Sequence, residues 1–367
     1  MASTVLWGGL AIGFAFGAVA QRSNFCTMGA LSDIVNMSHW GRARMFLLAL
    51  AVAIAGATAL HQSGQIDLAQ SIYRRGASIP WLSLLLGGTI FGVGMTLAGG
   101  CANKNLLRLG GGSLRSLVVL AFMAISAYMT LKGLFGQWRA AWLDPVRVSL
   151  EGTALQDPTL GQALAAVSGL TAGGATLAAA AVLVLALLVF VFKDARFRRN
   201  RLQVASGVAL GALVVAGWYV SGHLGYGENP ETLEQVYFAT NTRTIESLSY
   251  VAPTAFSLEL LMLWTDKALH PSFGITSLVG IVLGALVVSL MTGAFRWEGF
   301  ASTEDLKTQI VGAVLMGFGG VTALGCTIGQ GLTGVSTLAI GSFIALAGLI
   351  GGCVATLKYL LWKAERE

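Results

Sequence analysis

Nine stretches of roughly 16 to 25 residues run almost without charge, and a chain built from them can satisfy its backbone polar groups only as helices packed together inside a bilayer. They lie at about 5 to 22, 44 to 61, 81 to 100 and 114 to 131, within 162 to 192, and at about 202 to 220, 274 to 294, 308 to 325 and 335 to 360. With 55% hydrophobic residues, 11% charged residues and a mean hydropathy of +0.73, a soluble domain is excluded. Glycines spaced as Gly9-xxx-Gly13-xxx-Gly17, Gly88-xxx-Gly92, Gly207-xxx-Gly211 and Gly280-xxx-Gly284 let helix backbones approach closely. The expected fold is an all-α polytopic membrane protein of about nine spans.

The formal charge of +6 does not point to nucleic acid, because the basic residues sit in short runs between apolar segments. Placing the N-terminus outside puts 16 of the 23 Lys and Arg on the inner face, anchored by the 193–201 cluster. An odd number of spans then makes the C-terminus cytoplasmic, in a multi-pass protein of the cell inner membrane. Val5 to Ala20 has no Lys or Arg before it and reads as the first span, not a cleavable signal. Val251 to Leu269 is cut off from the next run by His270-Pro271, so it reads as a re-entrant or interfacial helix.

Two blocks repeat each other around a cysteine: Gly92-Val-Gly-Met-Thr-Leu-Ala-Gly-Gly-Cys101 and Gly317-Phe-Gly-Gly-Val-Thr-Ala-Leu-Gly-Cys326. Each closes an apolar run, and Gly100 and Gly325 are the glycines best placed to shape the break. A third thiol, Cys26, follows the first run in Gln21-Arg-Ser-Asn-Phe-Cys26. An odd connector span between two four-span halves inverts the second half, which brings Cys101 and Cys326 to the membrane centre from opposite sides. The expected division is an N-terminal membrane repeat over 1–131, an amphipathic outer segment plus connector span over 132–201, and an inverted repeat over 202–367.

A broken helix frees backbone N–H groups whose partial positive charge favours an anion. The polar residues near the breaks are mostly neutral: Asn24, Thr27, Asn103, Asn105, Thr327, Gln330 and Thr333, with Arg22 and Lys104 the nearest cations in sequence. Weak donors suit transit, since an ion held too tightly does not leave. A cysteine in apolar surroundings stays protonated, and its soft S–H suits a sulfur acceptor, so a sulfur-bearing anion is the natural substrate. Cys353, inside the last apolar run, reads as packing.

Two other readings stay open. A membrane sulfurtransferase or thiol-redox protein would need an activating base beside a thiol, and no CxxC motif occurs. A soft-metal transporter would also use thiols, assembled from distant helices. No nucleotide-binding motif occurs and the histidines do not cluster with carboxylates, so neither a cofactor nor a resident metal is expected.

Gln21-Arg-Ser-Asn-Phe-Cys26, Gly92-x-Gly-Met-x-Leu-Ala-Gly-Gly-Cys101 and Gly325-Cys-Thr-Ile-Gly-Gln-Gly331 resemble the YeeE/YedE family of sulfur-compound permeases. That resemblance covers nearly the whole chain and implies thiosulfate uptake without catalysis. It implies that Cys26, Cys101 and Cys326 line a narrow central path and relay the anion by S–H···S contacts. By their place at the breaks, Arg22, Asn24, Gly100, Asn103, Gly325, Thr327 and Gln330 are expected to support that path. It also implies a small TusA-like sulfur-carrier partner in the cytoplasm.

Overall fold

The structure is a computed structural model that describes residues 1–76, 78–150, 157–229, 233–300 and 302–366. Its first helices are α1 (Ala2–Ser23), α2 (Thr27–Met37), α3 (Gly41–Gln62), α4 (Trp81–Leu97), α5 (Ala102–Gly110) and α6 (Leu114–Lys132). Then come α7 (Leu134–Trp138), α8 (Leu160–Ser168), α9 (Ala172–Phe192) and α10 (Ala195–Arg199). The last five are α11 (Arg201–Tyr219), α12 (Val251–Met262), α13 (Phe273–Met291), α14 (Thr303–Thr322) and α15 (Ile340–Ala364). The only strands among the described residues are two short antiparallel pairs outside the long helices.

Eight helical segments among the described residues are long and apolar enough to cross a membrane, two of them the interrupted pairs Ala2–Met37 and Trp81–Gly110. The ninth expected span, 308 to 325, forms α14, whose first turns hold Glu304, Asp305 and Lys307 and make it too polar by composition alone. It still packs along α4 and α6. The expected fifth span divides into α8 and α9 at the left-handed Gly169, and α9 turns Leu177, Val182, Leu185 and Val189 outward as a lipid-facing helix must. Within the 131–157 stretch, residues 151–156 lie outside the described residues.

Two sets of helices pack in matching ways. α1 lies on α13 as α11 lies on α3; α4 lies on α15 as α14 lies on α6; α2 meets α15 as α12 meets α6. α5 touches α13 where the turn at 329–334 touches α3, while α4 with α14 and α1 with α11 are the pairs that exchange with themselves. Exchanging α1–α6 with α11–α15 therefore preserves the packing, as an internal pseudo-twofold requires. α12 begins buried at Val251 and ends among exposed Leu261, Met262 and Trp264, which is a half-length helix and not a span.

Glycine sets how close these helices come. On α1, a Cβ at Gly13 or Gly17 would land on the backbone of Ser277 or Ile281, and Gly280 and Gly284 of α13 answer against the carbonyls of Leu10 and Phe14. Between α4 and α14, Gly94 and Gly312 lie on each other's carbonyl, with an added Cβ at either only 2.7 Å away. Lipid tails are as apolar as leucine side chains, so this backbone approach carries helix association.

Ion pairs fasten the two ends. On a basic face, Arg42 meets Asp33 at 3.3 Å, Arg115 meets Asp305 at 3.2 Å, and Arg44 pairs with Asp194. On the opposite face Arg74 pairs with Asp157 and Lys132 with Glu259. Gly13→Leu should lower stability by about 1–3 kcal/mol or prevent assembly, since the crossing cannot widen. Gly351→Leu, which meets nothing within 4 Å, should stay within about 0.5 kcal/mol. Thermal unfolding of the two purified variants in detergent checks the contrast.

Candidate functional site

One local geometry occurs three times, each time two residues before a cysteine. Asn24, Gly99 and Leu324 take left-handed backbone with φ of 52°, 68° and 58°. The next N–H then reaches back over the helix end: Phe25 to Ala20 O at 3.0 Å, Gly100 to Met95 O at 2.9 Å, Gly325 to Gly320 O at 2.8 Å. These bonds close α1, α4 and α14, and the following residue, Cys26, Cys101 or Cys326, starts the next turn of chain.

Each thiol then sits where a helix N-cap side chain sits. Cys26 Sγ accepts from the Gly29 N–H at 3.3 Å and Cys326 Sγ from the Gly329 N–H at 3.4 Å, while Cys101 is the N-cap residue of α5 without such a bond. Beyond the thiols run α2, α5 and a π turn at Gly329–Gly334. The first two point their N-terminal partial positive charge inward, toward the cysteines.

Cys101 is the middle thiol. It lies beside the Cys26 thiol and the Thr327 hydroxyl, with Cys326 in the same neighbourhood. Cys101 and Cys326 are fully enclosed and Cys26 is 6% exposed; all are free thiols. Around them, polar atoms are buried without hydrogen-bond partners: Thr27 Oγ1, Asn103 Oδ1, Thr327 Oγ1, Gln330 Oε1 and the Tyr250 hydroxyl. Native interiors rarely leave such groups unpaired, so their concentration beside the thiols marks unmet hydrogen-bonding capacity that a polar guest would fill.

Gln330 bonds the Ala323 carbonyl at 2.5 Å through Nε2, which leaves its oxygen free, and Asn105 secures the break by donating to the Gly100 carbonyl at 3.0 Å. Arg22 and Asn24 are exposed, Asn24 serving as the left-handed end of α1. Gly100 and Gly325 are buried beside the breaks, but the left-handed positions are the residues just before them, Gly99 and Leu324. Lys104 places its charge near Cys26 and Cys101, and Arg42 stands against Gly29. Cys353 lies inside α15 where that helix packs on α4, and accepts from Thr96 Oγ1 at 3.3 Å. Among the described residues no three His, Cys, Asp or Glu converge as metal ligands would.

From the face opposite the basic one, two cavities reach the residues around the Cys326 break. One of 240 Å³ is lined by Tyr73, Ser249, Leu324 and Gly325, and one of 180 Å³ by Tyr73, Leu324, Gln330 and Ser342. Glu246 borders the larger; burial raises its pKa, while bonds from Thr242 oppose the rise. Tyr73 and Tyr250 are the functional candidates that sequence reasoning missed, because nothing near them in the chain repeats a cysteine motif. The paired offset from Cys326 to Cys101 could have flagged Leu324 as the counterpart of Gly99. Left-handed backbone strains a leucine, so Leu324→Val should be about 1–2 kcal/mol less stable than Leu324→Gly, as thermal unfolding would measure.

Residues 22–355 match the family described as Sulphur transport. A protein of Spirochaeta thermophila named thiosulfate transporter TsuA is 28% identical over 345 residues, covering 93% of this chain and 94% of its own length. An Escherichia coli K12 protein of the same name is 26% identical over 382 residues, covering 98% and 95%. A probable transporter of Xylella fastidiosa is 33% identical over 91 residues, 25% of this chain and 66% of its own.

Proposed function

The chain belongs to the Sulphur transport family, the YeeE/YedE permeases of the sequence resemblance, and we propose that it carries thiosulfate or a closely related sulfur anion inward through its three neutral thiols. Both relatives that align over nearly their full length are named as thiosulfate transporters. The observation that carries the reading is Cys101 placed between Cys26 and Cys326 among a set of buried, unpartnered polar atoms.

Thiosulfate has a soft terminal sulfur and three hard oxygens. A thiol offers the sulfur a weak hydrogen bond, and the unpaired hydroxyls and amides offer the oxygens stronger donors. The anion enters from the cavity side, passes Cys326, Cys101 and Cys26 in that order, and leaves toward Lys104 and Arg42. The attraction rises along the path from neutral thiols to cations near water, so the ion is not trapped midway. Cys101 and Cys326 are fully enclosed, so passage requires a local opening of the breaks.

The basic face is cytoplasmic in this reading, in the inner membrane, with the N-terminus outside and the C-terminus inside. A TusA-like carrier meeting that face would remove the delivered sulfur anion and so keep the gradient inward. The two membrane repeats, 1–131 and 202–367, supply opposite sides of the path, and 132–201 holds the outer segment and connector.

With purified protein in liposomes and labelled thiosulfate, Cys101→Ala and Cys326→Ala should each lose at least about ten-fold in uptake, the worth of one hydrogen bond to an ion, and Cys353→Ala should stay within about two-fold. Wild-type uptake by both of the first two would defeat the proposal. The contact between Cys26 and Cys101 is also what a thiol-redox protein would present. Mass spectrometry of protein recovered during transport separates these, since a relay leaves every thiol reduced and unmodified.

A further inference from the structure

Exchange of the two helix sets carries α2 onto α12, and where Cys26 heads α2, Tyr250 heads α12. The likeness extends to their surroundings. Cys26 neighbours Cys101, and Tyr250 neighbours Cys326. The Tyr250 ring packs on Phe16 with centroids 6.1 Å apart, and Phe16 meets Phe25, the neighbour of Cys26, at 6.3 Å. An aromatic bridge thus ties the two positions together.

Tyr250 is 0% exposed and its hydroxyl has no hydrogen-bond partner. A buried tyrosine normally finds one, and phenylalanine would fill the same space without a polar group to desolvate. Packing therefore explains the ring and leaves the hydroxyl to be explained. The Cys326 thiol, itself on the proposed path, is a neighbour of Tyr250 from another element, and Tyr73 neighbours the same thiol.

We propose that Tyr250 is a fourth donor of the path, placed by the pseudo-twofold opposite Cys26, which hydrogen-bonds an oxygen of the transported anion while the Cys326 thiol holds its terminal sulfur. The inference rests on the thiol path described above and adds its selectivity. A hard O–H beside a soft S–H reads both ends of a sulfur oxyanion that bears a terminal sulfur. Sulfate offers oxygens but no soft sulfur, and an oxygen-free sulfur anion offers nothing to the phenol. Tyr250 is a binding residue at the cavity side and takes no part in bond making.

In liposomes with labelled thiosulfate, Tyr250→Phe should raise the half-saturating concentration about ten-fold or more, as loss of a hydrogen bond to an ion implies, and leave the maximal rate within about two-fold. An unchanged half-saturating concentration, with Cys101→Ala impaired in the same assay, overturns the role of Tyr250 alone. A fall in maximal rate without a change in half-saturation assigns Tyr250 to packing and overturns it as well. Wild-type uptake by both Cys101→Ala and Cys326→Ala overturns the thiol path itself, whatever Tyr250→Phe does. Should Tyr250→Phe fail to fold, 3-fluorotyrosine at position 250 keeps the shape and strengthens the donor. It should lower the half-saturating concentration, and an unchanged value overturns the assignment.

Discussion

A helix that stops inside a bilayer must find partners for the backbone groups it frees, because lipid supplies none. Here three helices stop in that way, and each end is closed by a left-handed residue and a back-reaching N–H before a cysteine starts the next turn. The closing bonds satisfy the last carbonyls, and the thiols take N–H groups of the turns that follow. The same act that makes the break tolerable in lipid thus aims a sulfur at the centre. Structure and site share one solution.

The breaks stay narrow because the helices around them cannot part. Gly94 against Gly312 and Gly87 against Gly319 hold α4 and α14 at backbone distance, just before Cys101 and Cys326. Bulkier residues would open a wide aqueous gap at the same depth. Close packing instead keeps the centre enclosed, and the unpaired Thr27, Thr327, Asn103 and Gln330 atoms are the polar surface that a passing ion would meet. Ion pairs at both ends, such as Arg115 with Asp305 and Arg74 with Asp157, fasten the loops that frame this centre.

Much of this was legible in the chain because lipid narrows the choices. Long uncharged runs can only be helices there, and the repeated Gly and Cys blocks marked two of the breaks. His270-Pro271 set apart the segment from Val251 to Leu269, of which only Val251–Met262 is helical, as α12. The polar start of α14, with Glu304, Asp305 and Lys307, is where hydropathy and structure part. Tertiary contacts with α4 and α6 fix that helix, and no local pattern records them. Tyr250 and Tyr73 were hidden for the same reason: their place beside Cys326 comes from the pseudo-twofold, and the counterpart of a cysteine under that exchange is a tyrosine. Leu324 was hidden because leucine is a poor signal for left-handed backbone, whereas Gly99 announces it.

Selenosulfate carries selenium where thiosulfate carries its terminal sulfur, which makes that atom visible by anomalous diffraction. Crystals of the protein soaked with it should show a selenium peak in contact with Cys101 Sγ, shared with Cys26 or Cys326. A peak on surface arginines and none near any of the three thiols, in protein that still transports the ion, would contradict a thiol-lined path.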